Sequence, residues 1–317
     1  MRPPTPMRYV TTEEIKRTLT MPEAIRAVRE AFIQLSTGQA LVPARTSLEV
    51  PGSRTTALVM PAYLPGSKRI GVKLISLCED NPAKGLPLAQ AVTVVMDAED
   101  GVPLAALDAS YLTAVRTGAA SAVATDALAR RDARVAAVFG AGVQGRTQLE
   151  AVAAVRPIRK AFVFDVDPRA AAAYAAEMGP KLGLDVEPAA SPKVLGRADI
   201  VCTATTSATP VFSDGDLKPG VHINAVGSYK PHIREIPGET VRRARVYVDH
   251  RQAALEEAGD LIIPLHQNLI GEGHILAEIG EVLAGLKPGR GSDGEVTLFK
   301  SVGNAVQDLA VAGLVIG

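Results

Sequence analysis

The spacing of apolar residues changes along the chain and divides it into three stretches. Near the start, the segments TTEE and TMPE each place a threonine three residues before a glutamate, which is typical of a helix start. After the second segment, apolar residues follow helical spacing until Gly38. Residues 42–107 instead contain short strand-like runs separated by turns rich in proline and glycine. This stretch predicts a mainly antiparallel sheet, including a hairpin with Asp100 and Gly101 at its tip.

From about residue 110 the pattern changes again. A long helix of small residues is followed by apolar, β-branched runs that alternate with helices, and a strand and an apolar-faced helix come last. Such alternation is typical of a parallel, doubly wound sheet. The sequence therefore predicts an α/β protein with a mainly antiparallel α+β domain over residues 1–118, completed by a helix over 301–317. A Rossmann-type nucleotide-binding domain is predicted over 119–300.

Composition narrows the class of function. Lys plus Arg and Asp plus Glu both number 34, so the basic excess expected of a nucleic-acid or membrane-surface binder is missing. The two cysteines and five scattered histidines form no disulfide framework and no spacing typical of a metal site. The sequence also lacks a signal-peptide pattern and an apolar run long enough for a membrane helix. We therefore expect a cytoplasmic enzyme with no metal, nucleic-acid or membrane partner.

A glycine-rich turn carries the strongest functional signal. The sequence FGAGVQG leads from a predicted buried strand directly into a predicted helix. Its glycines suit a tight turn, close approach of the backbone to a pyrophosphate, and close packing of helix on strand. The helix N-terminus offers unpaired N–H groups to the phosphates. We therefore expect a dinucleotide to be bound by Gly140, Ala141, Gly142, Val143, Gln144 and Gly145.

Asp165 bears on the choice of cofactor. It ends the next predicted strand, about 20 residues past the last glycine of the turn, where an acid hydrogen-bonds the adenosine ribose. A carboxylate there repels a 2′-phosphate, and no arginine follows it immediately, although Arg169 lies close. This favours NAD over NADP and leaves NADP open. Further cofactor contacts are expected from Arg116, Thr117, Thr205, Thr206, Gly227 and Ser228.

Three cations stand on otherwise apolar elements of the first domain. Lys73 lies in the middle of the predicted strand RIGVKLISL, on the same face as Ile75 and Leu77. A buried ammonium requires a partner, and a lysine whose stem reaches solvent is the alternative interpretation. Arg45 begins the first predicted strand, and Arg116 lies among small residues of the long helix. Three such cations beside a dinucleotide fold indicate an anionic substrate.

These segments together resemble the ornithine cyclodeaminase/μ-crystallin family. The resemblance rests, in order, on VPARTSL, GVKLISL, GLPLAQAVTVVMDAEDGVPLAALDASYLTAVRTGAASAVAT, FGAGVQG, INAVGSYKPHIREI and LFKSVGNAVQDLA. It implies hydride transfer between NAD(H) or NADP(H) and the α-carbon of a small amino or imino acid. It also implies that Arg45, Lys73 and Arg116 hold the substrate carboxylate, with Lys73 beside the reacting carbon and nitrogen. A homodimer built through the sheet of the first domain is implied as well.

The chain departs from the ornithine-specific members of that family at two acids. Tyr229 stands where they carry an aspartate, and Leu58 stands where they carry a glutamate before the MP pair. We therefore expect poor ornithine deamination, and instead an NAD(P)-dependent alanine dehydrogenase or a reductase of cyclic imines such as pyrroline-2-carboxylate, with Lys73 as acid/base. Two alternatives stay open. One is ornithine cyclodeaminase with another acid, such as Glu235, in the missing role; the other is a non-catalytic, crystallin-like NAD(P)H-binding protein.

Overall fold

The computed structural model of the protein describes residues 7–317, which fall into two units. Unit 1 consists of the residues up to 116 together with 304–317, and unit 2 consists of residues 117–303. The division predicted from the sequence differs from this one by two or three residues at each boundary. The predicted roles, substrate binding and dimerisation for the first domain and NAD binding for the second, stay predictions.

Unit 1 contains a six-stranded, mainly antiparallel sheet, as predicted. Its strands are β1 (Arg8–Val10), β2 (Thr46–Glu49), β3 (Thr55–Leu64), β4 (Arg69–Cys78), β5 (Ala89–Asp97) and β6 (Pro103–Asp108). They follow the order β1-β6-β5-β4-β3-β2. The hairpin between β5 and β6 is confirmed, with Gly101 at a φ of 74° in its turn. The sequence did not predict β1, which pairs in parallel with β6.

Two capped helices precede most of this sheet in the sequence. α1 (Thr12–Thr18) and α2 (Met21–Ser36) have Thr11 and Thr20 as their N-caps, and Gly38 follows α2 with a left-handed φ of 73°. The predicted starts of both helices are confirmed, because the threonine–glutamate pairs make the expected capping contacts.

The helix α10 (Ala305–Ile316) packs against α2, β3 and β4. Close packing requires a glycine in β4, because a Cβ at Gly71 would lie 2.7 Å from Cδ1 of Leu309. This contact fixes α10 against the face of the sheet to which Gly71 belongs. The long helix α3 (Ala109–Leu128) follows β6; it begins in unit 1 and continues in unit 2.

Unit 2 contains the predicted parallel, doubly wound sheet, which has eight strands. Its strands are β7 (Val135–Phe139), β8 (Lys160–Phe164), β9 (Asp185–Pro188), β10 (Ile200–Thr203), β11 (His222–Ala225), β12 (Arg245–Val248), β13 (Ile275–Glu278) and β14 (Thr297–Lys300). The order is β13-β12-β14-β11-β10-β7-β8-β9, and each adjacent pair is parallel. The sequence did not predict β13.

Apolar residues pack on both faces of the parallel sheet. Ala137 and Val201 belong to one buried cluster, whereas their chain neighbours Val138 and Cys202 belong to the other. Alternate residues of a strand point to opposite faces, so helices on both sides bury these runs completely. The helices are α4 (Val143–Val155), α5 (Pro168–Leu182), α6 (Gly238–Arg243), α7 (Arg251–Glu257), α8 (Gly259–His266) and α9 (Ile279–Leu283). Within residues 7–317, no helix has the length and apolar character needed to cross a membrane.

Candidate active site

Lys73 lies in the middle of β4 with its side chain buried under α10. Only 2% of the residue is exposed, and its Nζ lies 2.6 Å from Oδ2 of Asp308 in α10. Leu74, the next residue, points to the other face of the sheet and is 47% exposed. The strand therefore turns Lys73 inward, as its alternation predicted, and the alternative of a surface lysine is wrong.

Asp308 joins two of the three predicted cations. Its Oδ1 accepts a hydrogen bond from Nε of Arg116 at 3.1 Å, and the aspartate is 1% exposed. The neighbouring Gln307 accepts a hydrogen bond from Nη1 of the same arginine at 2.8 Å. Unit 1 therefore holds a buried lysine and a buried arginine on one carboxylate. The sequence interpretation missed Asp308, although a carboxylate within the apolar helix AVQDLAVAGLVI was a usable signal.

Arg45 approaches the same group from the edge of the sheet. It directly precedes β2 and is partly buried. Thr46 pairs with Val59, and the residue after Val59, Met60, pairs with Lys73. The register of the sheet thus brings Arg45 toward Lys73, and Asp308 joins Lys73 to Arg116, so the three predicted cations lie in one region of unit 1. Their role in holding a substrate stays a prediction.

The pKa of Lys73 reflects this environment. Burial lowers it from the ordinary value of 10.5 to about 8, and the positive charges of Arg116 and Arg45 act in the same direction. The ion pair with Asp308 opposes these effects. An amine with such a pKa exchanges protons readily near neutral pH, which an ordinary lysine does not. This arrangement can bind an anion and transfer a proton to or from it.

In unit 2, the glycine-rich turn between β7 and α4 has the geometry of a phosphate-binding turn. Gly140 has a φ of 98°, and a Cβ there would lie 2.5 Å from the carbonyl oxygen of Ala204. A Cβ at Gly145 would lie 1.9 Å from the carbonyl oxygen of Gly140. At Gly142, the N-cap of α4, an added Cβ would meet no heavy atom beyond its chain neighbours within 4 Å among residues 7–317.

The first and third glycines are therefore required by the protein's own backbone. The second leaves open space at a helix N-terminus, which fits a pyrophosphate. Of the other predicted residues of the turn, Val143 is 62% exposed, whereas Ala141 is buried and Gln144 is partly buried. The assignment of these residues to a dinucleotide stays a prediction.

Asp165 follows β8 beside this turn. Its Oδ2 accepts a hydrogen bond from the backbone N–H of Ala141 at 2.8 Å, and its Oδ1 accepts one from the N–H of Asp167 at 3.0 Å. The carboxylate is thus fixed at the end of the strand and partly exposed. Each oxygen still has a second lone pair with which to accept from a ribose hydroxyl. The predicted ribose contact is compatible with this geometry and stays a prediction.

The loops after β10 and β11 are held by a buried carboxylate, Glu235. It is fully buried and accepts hydrogen bonds from the backbone N–H groups of Thr205 at 2.7 Å and Gly227 at 2.8 Å. Ser228 also donates its N–H to Glu235, and its own hydroxyl donates to Ile233. Three predicted cofactor residues are therefore positioned by one acid that the sequence interpretation mentioned only as a possible catalytic group. Thr206 is exposed, and Thr117 is buried in α3.

Glu235 belongs to a larger buried polar cluster. Asp260 accepts from the backbone N–H groups of Glu235 and Ile236, and Lys300 lies 2.9 Å from the other oxygen of Asp260. Burial, together with the negative charge of Asp260, raises the pKa of Glu235. Both oxygens of the Glu235 carboxylate thus accept hydrogen bonds from the loops of unit 2. This argues against Glu235 as a substitute acid for ornithine chemistry.

The two positions that depart from the ornithine-specific pattern take different places in the structure. Leu58 pairs with Ile75 on the Lys73 face of the sheet and is 9% exposed. An apolar side chain therefore occupies the position in unit 1 at which the ornithine-specific pattern has a glutamate. Tyr229 is partly buried in the loop after β11. Within residues 7–317, no group of three or more His, Cys, Asp or Glu side chains could hold a metal ion.

Comparison with known sequences agrees with this geometry. The sequence model of the ornithine cyclodeaminase/mu-crystallin family matches residues 7–316. Among curated proteins, the chain is 39% identical over 308 residues to a Δ(1)-pyrroline-2-carboxylate reductase of Bacillus cereus. This match covers 96% of the chain and 94% of that protein.

Two solved structures are similar over nearly the whole chain. One is the Δ(1)-pyrroline-2-carboxylate reductase of Thermococcus litoralis in complex with NADH and L-proline, with a TM-score of 0.95 and 43% identity. It covers 98% of this chain, and the match spans 96% of that chain. The other is an archaeal alanine dehydrogenase dimer with bound NAD, with a TM-score of 0.92 and 35% identity, covering 98% of this chain and 95% of that chain.

Proposed function

The chain belongs to the ornithine cyclodeaminase/mu-crystallin family, and on that premise we propose that it reduces Δ(1)-pyrroline-2-carboxylate to L-proline with NADH. It is an NAD-dependent oxidoreductase that acts on the C–N bond of a small α-imino or α-amino acid. The proposal of a cyclic imino acid as substrate rests on the buried pair of Lys73 and Asp308, which is joined to Arg116. The face of the sheet that carries Lys73 also carries apolar groups such as Leu58. A cyclic imino acid has one carboxylate and an apolar ring, which match these groups.

The cofactor is NAD(H), which both similar structures contain. The open space at Gly142 and the fixed carboxylate of Asp165 are suited to the pyrophosphate and the ribose of this group. NADH supplies the hydride that the imine carbon accepts. The Glu235 cluster supports this use of unit 2, since its hydrogen bonds fix the loops at Thr205 and Gly227.

The cations of unit 1 bind and orient the substrate in this proposal. Arg45 and Arg116 hold the carboxylate, and Asp308 with Gln307 fixes the guanidinium of Arg116. Holding the α-carbon in one orientation supplies much of the rate. Lys73 donates a proton to the imine nitrogen in reduction and accepts one from the amine in the reverse reaction. Its lowered pKa suits both directions.

We also propose a homodimer formed through the outer face of the unit 1 sheet. Val59 and Leu74 pair across β3 and β4 on that face, and they are 37% and 47% exposed. Leu48, on the same face in β2, is 62% exposed. Apolar residues that stand together on an exposed sheet face are typical of a subunit contact, and the similar alanine dehydrogenase is a dimer. The cytoplasmic location expected from the sequence stays a prediction.

One assay tests the proposed reaction. NADH oxidation is followed with Δ(1)-pyrroline-2-carboxylate, and separately with pyruvate plus ammonia. We expect kcat/KM to be at least about tenfold higher for the cyclic imine. The apolar side chain of Leu58 favours the ring methylene groups of this substrate over the methyl group of pyruvate and free ammonia. A preference for pyruvate plus ammonia would make the protein an alanine dehydrogenase. Release of ammonia and proline from ornithine without net NADH formation would contradict the proposal, as would the absence of turnover on every substrate.

A further inference from the structure

A buried carboxamide in unit 1 has no hydrogen-bond partner. Asn304 is 4% exposed, and neither its Nδ2 nor its Oδ1 is bonded to any group in residues 7–317. It is the N-cap residue of α10, yet its side chain makes no capping bond to the helix. Nearly all buried polar side chains in proteins are bonded, because each unsatisfied group costs folding free energy. A side chain of this kind is suited to a ligand.

Asn304 lies one helical turn before the aspartate that joins the cations. It is the N-cap of α10 and precedes Asp308 by four residues, which is about 6 Å along the helix axis. Asp308 contacts Nζ of Lys73 and Nε of Arg116. The carboxamide is therefore one helical turn from the counter-ion of the lysine and arginine to which the proposed function assigns the substrate.

The substrate nitrogen needs a hydrogen-bond acceptor that the arginines do not supply. A protonated imine nitrogen, like the amine of the product, carries an N–H group that donates. Arg45 and Arg116 carry donors only, and Lys73 can accept only after it has given its proton to the nitrogen. Asp308 is already engaged by Lys73 and Arg116. The carboxamide of Asn304 offers an acceptor oxygen and two donor hydrogens in one rigid plane, which complement an N–H and a carboxylate on adjacent atoms.

We propose that Asn304 binds the substrate, with Oδ1 accepting a hydrogen bond from the protonated imine nitrogen and Nδ2 donating one to the carboxylate. This inference rests on the proposed function and names the feature of the substrate that α10 recognises. The bond to Oδ1 stabilises the iminium, in which the C=N carbon is most electrophilic. That carbon then gains the hydride of NADH, the C=N double bond becomes a single bond, and NADH leaves as NAD+. The nitrogen keeps the proton that Lys73 delivered.

The variant Asn304→Leu tests the proposal because leucine has a similar size and no polar atom. We expect the KM for Δ(1)-pyrroline-2-carboxylate to rise about tenfold or more, since two bonds to charged groups are lost. The rise in Tm that L-proline causes in the NADH complex should be lost as well. The Tm of the free protein should stay unchanged or rise, because an unpaired buried carboxamide is removed. The Kd for NADH should stay within about twofold of the original value.

Asn304→Asp provides a second variant of nearly the same shape. It keeps an acceptor for the N–H group, but its negative charge repels the substrate carboxylate, so KM should rise further than in Asn304→Leu. It also tests the proposal if leucine disturbs the start of α10. Gln148→Leu is the matched control, since Gln148 in α4 is likewise fully buried and neither of its side-chain polar atoms has a partner among residues 7–317. This control should leave the KM for the imino acid unchanged.

The outcomes separate this proposal from the function on which it rests. An active protein whose Asn304→Leu and Asn304→Asp variants keep the original KM and the proline-induced rise in Tm would overturn the role of Asn304 alone. An equal loss in Gln148→Leu would also overturn it, because the effect would then follow from any change of a buried carboxamide. If the unaltered protein turned over no imino acid with NADH, the proposed function would fail and this inference with it.

Discussion

At the scale of single residues, the chemistry proposed for unit 1 depends on a lysine that is buried away from water. Lys73 is surrounded by a sheet, a helix and two arginines, so its amine loses a proton far more easily than an exposed lysine. Asp308 limits that effect, because its carboxylate favours the charged form. The pair therefore sets the pH at which the amine changes between proton donor and acceptor.

Replacing Lys73 by methionine removes the amine and keeps most of its apolar volume. We expect kcat for imine reduction to fall by about 100- to 10,000-fold, the range of general acid–base catalysis. NADH binding should change little, because the change lies in unit 1 and the glycine-rich turn in unit 2. Steady-state kinetics and a fluorescence titration of NADH measure the two effects. Lys68→Met, at an exposed lysine paired with the surface acid Glu99, is the control and should keep normal turnover.

The pH profile should depend on Asp308. In the proposed mechanism, reduction requires protonated Lys73, so kcat/KM should decline as the pH rises through about 8, and proline oxidation should increase over the same interval. Asp308→Asn removes a negative charge 2.6 Å from the amine, which lowers the pKa of Lys73 further. Both inflections should therefore move to lower pH. Asp97→Asn, which breaks the partly exposed pair with Arg69, should leave them in place; an unshifted profile in Asp308→Asn would refute this control of Lys73.

At the scale of elements, the patterns that repeat along a strand or helix were predictable, and contacts across the fold were not. β3 and β4 were readable because each has ten residues with a regular pattern. β1 was missed because it has three residues and pairs with a strand nearly a hundred positions away. The bond between Lys73 and Asp308 joins residues 235 positions apart. No local pattern contains such a pairing, and the same holds for the Glu235 cluster.

The glycine-rich turn allows a test in which stability and binding separate. Gly142→Ala adds a Cβ into open space at a φ of −80°, which alanine adopts without strain, so the Tm of the free protein should not change. Its methyl group should still raise the Kd for NADH by about tenfold, because we propose that the pyrophosphate occupies that space. Gly145→Ala should instead lower the Tm, since its Cβ meets a backbone oxygen at 1.9 Å. Thermal denaturation and NADH titration distinguish the two, and equal effects of both variants on Tm would contradict the assignment.

At the scale of the whole molecule, the exposed apolar face of the unit 1 sheet predicts assembly. Leu74→Glu places a charge in the middle of that face, next to Val59. Because burying an unpaired charge is costly, we expect the dimer to dissociate into monomers. Light scattering after size-exclusion chromatography gives the mass directly. Leu286→Glu, at a leucine of unit 2 that is 62% exposed, should leave the mass unchanged; a monomeric unaltered protein would dismiss this surface as a subunit contact.

The division of unit 1 into two separate parts of the sequence orders the events of biosynthesis. Residues 304–317 are translated after the whole of unit 2, yet they carry the counter-ion of a lysine translated more than two hundred residues earlier. Until that late helix emerges from the ribosome, the lysine has neither its carboxylate nor its cover. The nascent chain can thus complete unit 2 first, and unit 1 is complete only after that last helix has emerged.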